Sequence, residues 1–82
     1  MPTPHEVLSP LPGTFYRSAS PDAPPFKSEG DNVLEGDVIG LVEVMKQFSE
    51  VTADASGRIQ GFLVGNGESV DPGQVLVLIQ LP

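Results

Sequence analysis

Lys46 lies in the stretch Val-Glu-Val-Met-Lys-Gln-Phe, residues 42–48, and is one of only two lysines in a chain of 82 residues. A primary amine becomes a nucleophile once its proton is removed, and it then forms amides with activated acyl groups. Competing chemistry is thin. There is no cysteine, and the only histidine, His5, sits close to the N-terminus, so thiolate chemistry and clustered metal ligands are absent. Acidic pairs such as Glu35 and Asp37 read as solvated turn residues. An autonomous active site is therefore not expected, and the chain reads as a non-enzyme. The elements around Lys46 decide whether its amine does anything beyond solubilising a turn.

The link from Val44 to Phe48 leaves only Met45, Lys46 and Gln47 to reverse the chain, which forces a tight hairpin turn. The β-branched clusters on either side are short and punctuated by glycine, proline, asparagine and aspartate. With nine glycines and nine prolines, no stretch keeps helical apolar spacing, and the class is all-β. Strands are expected at 6–8, 14–18, 32–34, 38–44, 48–53, 58–64, 69–70 and 75–81. Period-two alternation puts Val42 and Ile79 on core faces, Glu43 and Gln80 toward water, and Ile39 on the outward side with Glu43.

A repeat organises these strands. Shifting the chain by 37 positions lays Gly30, Val33, Gly36, Val38 and Leu41 on Gly67, Val70, Gly73, Val75 and Leu78. Upstream, Gly13-Thr14-Phe15-Tyr16 matches Gly57-Arg58-Ile59-Gln60 at an offset of 44, so the first half carries seven extra residues. They fall in the proline-rich segment 18–27, which reads as a loop extruded from one half only. Gly13, Gly36, Gly57 and Gly73 read as turn glycines. Lys46 sits midway between the two copies.

Composition narrows the function classes. Eleven acidic residues against four basic ones give a net charge of −7, which excludes a nucleic-acid backbone as partner. No apolar run approaches the roughly 20 residues of a membrane span, and the N-terminus lacks the pattern of a signal peptide. No membrane association is expected. The expected residence is cytoplasmic, or plastid if the chain is a domain excised from a longer one.

Glu43-Val44-Met45-Lys46 is similar to the signature of the biotinyl/lipoyl attachment family. Residues 53–59 and 67–81 resemble the family's second half, and residues 9–17 and 20–23 are most similar to its thumb-bearing biotinyl members. The resemblance covers roughly residues 8–82. It implies a flattened β-barrel or sandwich of two four-stranded antiparallel sheets with pseudo-two-fold symmetry, the barrel-sandwich hybrid, with a thumb protruding at 18–27. The implied organisation is a flexible tail over 1–5 and a carrier domain over 6–82. Gln47 departs from the biotinyl pattern, which has methionine there, whereas Met45 matches it; lipoyl members have aspartate before the lysine.

The resemblance also implies a function. Biotin would be joined covalently to Lys46 by a biotin protein ligase that reads Glu43, Met45 and Gln47. The arm would carry CO2 as carboxybiotin from a biotin carboxylase to a carboxyltransferase, in acetyl-CoA carboxylase of fatty-acid synthesis or a related carboxylase. Pro21, Asp22, Ala23 and Pro24 of the thumb would contact the biotin. The domain itself is expected to be monomeric. Two alternatives stay open: a lipoyl carrier of a 2-oxo-acid dehydrogenase complex, and an unmodified interaction module of the same fold.

Overall fold

The computed structural model describes residues 4–20 and 22–82. Eight strands follow one another: β1 (His5–Leu8), β2 (Gly13–Tyr16), β3 (Asn32–Val33), β4 (Val38–Val44), β5 (Gln47–Thr52), β6 (Gly57–Phe62), β7 (Glu68–Val70) and β8 (Val75–Gln80). All eight expected strands are present, with ends shifted by one or two residues. His5 opens β1 instead of closing a tail, and its Nε2 lies 2.6 Å from Asp54 Oδ1.

One sheet has the order β1-β8-β6-β3 and the other β5-β4-β2-β7, antiparallel throughout. Replacing each strand of the first sheet by the one four places away in sequence gives the second, so the internal repeat is a pseudo-two-fold axis. Each sheet takes two strands from each half. Neither half can therefore close a core alone. Phe15, Ile39, Val42, Ile59, Leu76, Val77 and Ile79 fill the space between the sheets and are essentially inaccessible to water.

Simple alternation fails at one pseudo-symmetric pair. Ile39, expected to face outward, is fully buried, and so is Leu76, 37 residues later. Bulges are responsible. Val38 and Gly40 oppose consecutive residues Thr52 and Val51, leaving Ile39 as the extra residue; Val75 and Val77 oppose Leu8 and Val7, leaving Leu76. Burying a large aliphatic side chain is worth about 1.5–3 kcal/mol, against about 1 kcal/mol for a ladder hydrogen bond, so the bulge wins.

The four glycines divide into two kinds. Gly36 and Gly73, at φ +96° and +81°, are turn glycines as expected. Gly13 and Gly57 begin β2 and β6 without a positive φ, and they serve close approach instead. A Cβ on Gly13 would fall on the Glu43 carbonyl oxygen, and one on Gly57 on the Gln80 carbonyl oxygen. Gly57→Ala should therefore destabilise the domain by about 1–3 kcal/mol, because backbone cannot change rotamer to make room. Gly61→Ala, which meets open space, should be neutral to slightly stabilising; urea midpoints of the two variants check the contrast.

Candidate functional site

The β4–β5 hairpin closes with Val44 opposite Gln47, so the turn proper is only Met45 and Lys46. Both have positive φ, 51° and 66°. Such a turn matches the twist of its flanking strands but normally uses Asn-Gly, since each L-residue in this region costs about 1–2 kcal/mol. Gln47, expected within the turn, belongs to the ladder of β5. Met45 is 92% exposed, Lys46 is also exposed, and among the described residues the Lys46 amine has no hydrogen bond or ion pair. A strained, outward-pointing Met-Lys tip brings the chain nothing in packing.

The outer face of the β5-β4-β2 sheet leads from this tip into a groove of about 260 Å3. Glu43, on β4, forms its floor with Phe48 directly opposite on β5. Tyr16 of β2 stands diagonal to Glu43, and its ring lies 6.2 Å from that of Phe48. Ser18, Ala19 and Ser20 at the root of the proline-rich loop, with Asn66 of the β6–β7 loop, complete the walls. Partial burial first, and then the charge and hydrogen-bonding of the Glu43 carboxylate, push the Tyr16 phenol above its ordinary pKa.

The loop is fastened to the body at its root. Ser18 and Pro25 form an antiparallel bridge. The Phe26 N–H donates to the Arg17 carbonyl at 2.9 Å, and the Arg17 N–H donates to Asn66 Oδ1 at 2.8 Å. The Arg17 guanidinium stacks on Phe62 at 3.9 Å, and Lys27 Nζ lies 3.6 Å from Asp37 Oδ2.

Of the residues expected at the site, Glu43, Met45, Lys46 and Gln47 share the hairpin. Asp22, Ala23 and Pro24 lie on the loop but do not line the groove, and Pro21 falls outside the described residues. Sequence reasoning missed Tyr16, Ser18, Ala19, Ser20, Phe48 and Asn66 as lining residues. A signal existed for two of them. Phe15 and Val51 in the core force Tyr16 and Phe48 outward on the same sheet, leaving two aromatic rings with nothing of their own to cover.

A family model described as biotin-requiring enzyme matches residues 5–79. The chain belongs to the biotinyl/lipoyl attachment family. Among its relatives, the biotin carboxyl carrier protein of acetyl-CoA carboxylase from Chlamydia trachomatis is 48% identical over 89% of this chain and 44% of its own length. The protein of the same description from Haemophilus influenzae is 40% identical over 93% of this chain and 49% of its own. The chain thus spans about half the length of the curated relatives it matches. The crystal structure of Kluyveromyces lactis urea carboxylase superposes on 98% of the chain with a TM-score of 0.79 and 26% identity, using 6% of that protein. A biotin-requiring family implies covalently attached biotin, and the residues present fit it. An unpaired amine stands at the tip, and a groove with two aromatic walls and polar Ser18, Ser20, Glu43 and Asn66 lies beside it.

Two measurements test this geometry. Lys46→Gly should stabilise the domain by about 0.5–1 kcal/mol, because glycine adopts positive φ without steric penalty, while Lys46→Val should destabilise it by about 1 kcal/mol; urea denaturation separates them. Tyr16 is the chain's only tyrosine and there is no tryptophan, so ultraviolet absorbance reads its ionisation alone. Its titration should lie above the ordinary value of about 10 and move down in Glu43→Gln. Because the folded-state value is raised, the associated stability is complete below the unfolded tyrosine pKa and is lost as pH rises through the folded one.

Proposed function

We propose that this chain is the biotin-carrying domain of a biotin-dependent carboxylase of the acetyl-CoA carboxylase type, with Lys46 as the attachment residue. The observation that carries this reading is the strained Met45-Lys46 tip on the pseudo-two-fold axis, with its amine unpaired. The carrier relatives named above support the carboxylase class.

The domain's own residues have limited tasks. Lys46 supplies the nucleophilic nitrogen: it loses its proton on a biotin protein ligase, attacks the carbonyl of biotinyl-adenylate and expels AMP, leaving a neutral amide. An exposed lysine is protonated at neutral pH, so the ligase provides the base. Met45, Gln47 and Glu43, all at the hairpin, are the side chains a ligase meets around that nitrogen. Biotin, when attached, supplies a ureido nitrogen that accepts and releases CO2. The rigid sandwich holds the arm's anchor while the arm visits a biotin carboxylase and a carboxyltransferase, and tethering keeps it at an effective concentration of order mM. The groove at the thumb's root is where the idle arm rests. Catalysis of both half-reactions belongs to these partners, the domain acts as a monomer, and the reading places it in the cytoplasm. Among the described residues no helix is long and apolar enough to cross a membrane.

Co-expression with a biotin ligase, followed by intact-mass spectrometry, tests the assignment. Wild type should gain one biotinyl group and Lys46→Ala none. A biotinyl group that persists in Lys46→Ala, or lipoylation of Lys46 by a lipoyl ligase in place of biotinylation, would overturn it.

A further inference from the structure

We propose that Glu43 makes the groove beside Lys46 selective for an uncharged ring, so that the groove holds the arm while it is neutral and rejects it once it bears a carboxylate. The inference rests on the reading that Lys46 carries biotin, and it adds a mechanism of release.

Position comes first. The Glu43–Phe48 pair is the next rung after Val44–Gln47, which closes the turn. At about 3.3 Å per residue along a strand, the groove starts within one lysine side chain's reach of the tip. A lysine lengthened by a five-carbon acyl chain therefore folds back into it. Phe48, 57% exposed, and Tyr16 offer ring faces to a small bicyclic head. Ser18, Ser20 and Asn66 offer hydroxyl and amide groups around its edge.

Charge comes second. Among the described residues, the groove's lining includes one carboxylate, Glu43, and no lysine, arginine or histidine. The Arg17 guanidinium is turned away onto Phe62. Acylation removes the charge of Lys46 itself, which takes away the one cation at the tip. The whole chain carries −7. The Glu43 carboxylate is an acceptor only, lies beside the Tyr16 phenol and helps hold it protonated, and a neutral ureido N–H is a donor that suits it. Loading exchanges a ureido N–H for N–COO−, with bicarbonate as carbon source and ATP converted to ADP and phosphate on the partner carboxylase. The arm then loses a donor and brings a second negative charge beside the first. Docking that was favourable becomes unfavourable, and the loaded arm is free to leave.

The domain labelled with 15N, its biotinylated fraction isolated on avidin, provides the test. Amide shifts of Ser18, Ser20, Phe48 and Asn66 are compared in the unmodified domain, in the biotinylated domain, and after carboxylation in place by biotin carboxylase with bicarbonate and ATP. Biotinylation should shift these amides, and carboxylation should return them toward their unmodified positions, with the groove-bound fraction falling at least tenfold. In Glu43→Gln the shifts should survive carboxylation. Should the ligase modify Glu43→Gln poorly, Ser20→Lys places a cation on the exposed rim and should likewise retain the loaded arm. Groove amides unmoved by biotinylation would remove the resting site itself. Shifts that persist on carboxylation of the wild type, or release unchanged in these variants, would leave the resting site and overturn the charge selection.

Discussion

Two backbone-on-backbone contacts set the layout of the molecule. Gly13 lies against the Glu43 carbonyl and Gly57 against the Gln80 carbonyl, related by the pseudo-two-fold axis. Only a residue without a side chain lets β2 lie so close on β4, and β6 on β8. The first contact brings Tyr16 diagonal to Glu43 and plants the root of the proline-rich loop on the face that runs down from the Met45-Lys46 turn. The second fixes the same close pairing of β6 with β8 in the other half, which lacks the long proline-rich insertion. A single packing rule, used twice, thus yields one side with a groove beside the hairpin and one side without the loop that builds it.

The hairpin tip works against the local preferences of its sequence. Met-Lys is a poor choice for two consecutive residues at positive φ, and the strands on either side hold it there. β4 is an inner strand of its sheet, paired on both edges, and Val42 is inaccessible within the core. The paired strands therefore run up to the residue next to Lys46. The Lys46 backbone is thereby held in a defined position while its side chain stays exposed.

The order of strands along the chain, the class and the hairpin were legible because each rests on local pattern: β-branched runs, glycine spacing, and a repeat at offsets of 37 and 44. The bulges at Ile39 and Leu76 were not, since alternation has no term for the depth of the space between sheets, and that depth is what draws both residues inward. The four-residue cluster Glu43, Met45, Lys46 and Gln47 was legible because it is contiguous. The groove was not. Tyr16, Ser20, Phe48 and Asn66 lie on four segments that only the tertiary crossing brings together, and the thumb residues singled out by their prolines lie farther along the loop than those that line it. Gln47 illustrates the limit well: its type was evident, but the sequence reading put it in a three-residue turn, whereas the turn has two residues and Gln47 joins the β5 ladder.

The interleaving of halves also carries a consequence for synthesis. β8 is the last strand, yet it pairs with both β1 and β6 at the centre of its sheet, so that sheet has no middle until residue 80 has emerged. The hairpin at 38–52 is local and needs nothing from the end of the chain. A nascent chain therefore owns its β4–β5 hairpin well before it owns a sandwich. A partner that reads only the tip meets it early, whereas one that reads the β1-β8-β6 sheet must wait until residue 80 has emerged, and the difference separates recognition of the hairpin from recognition of the finished domain.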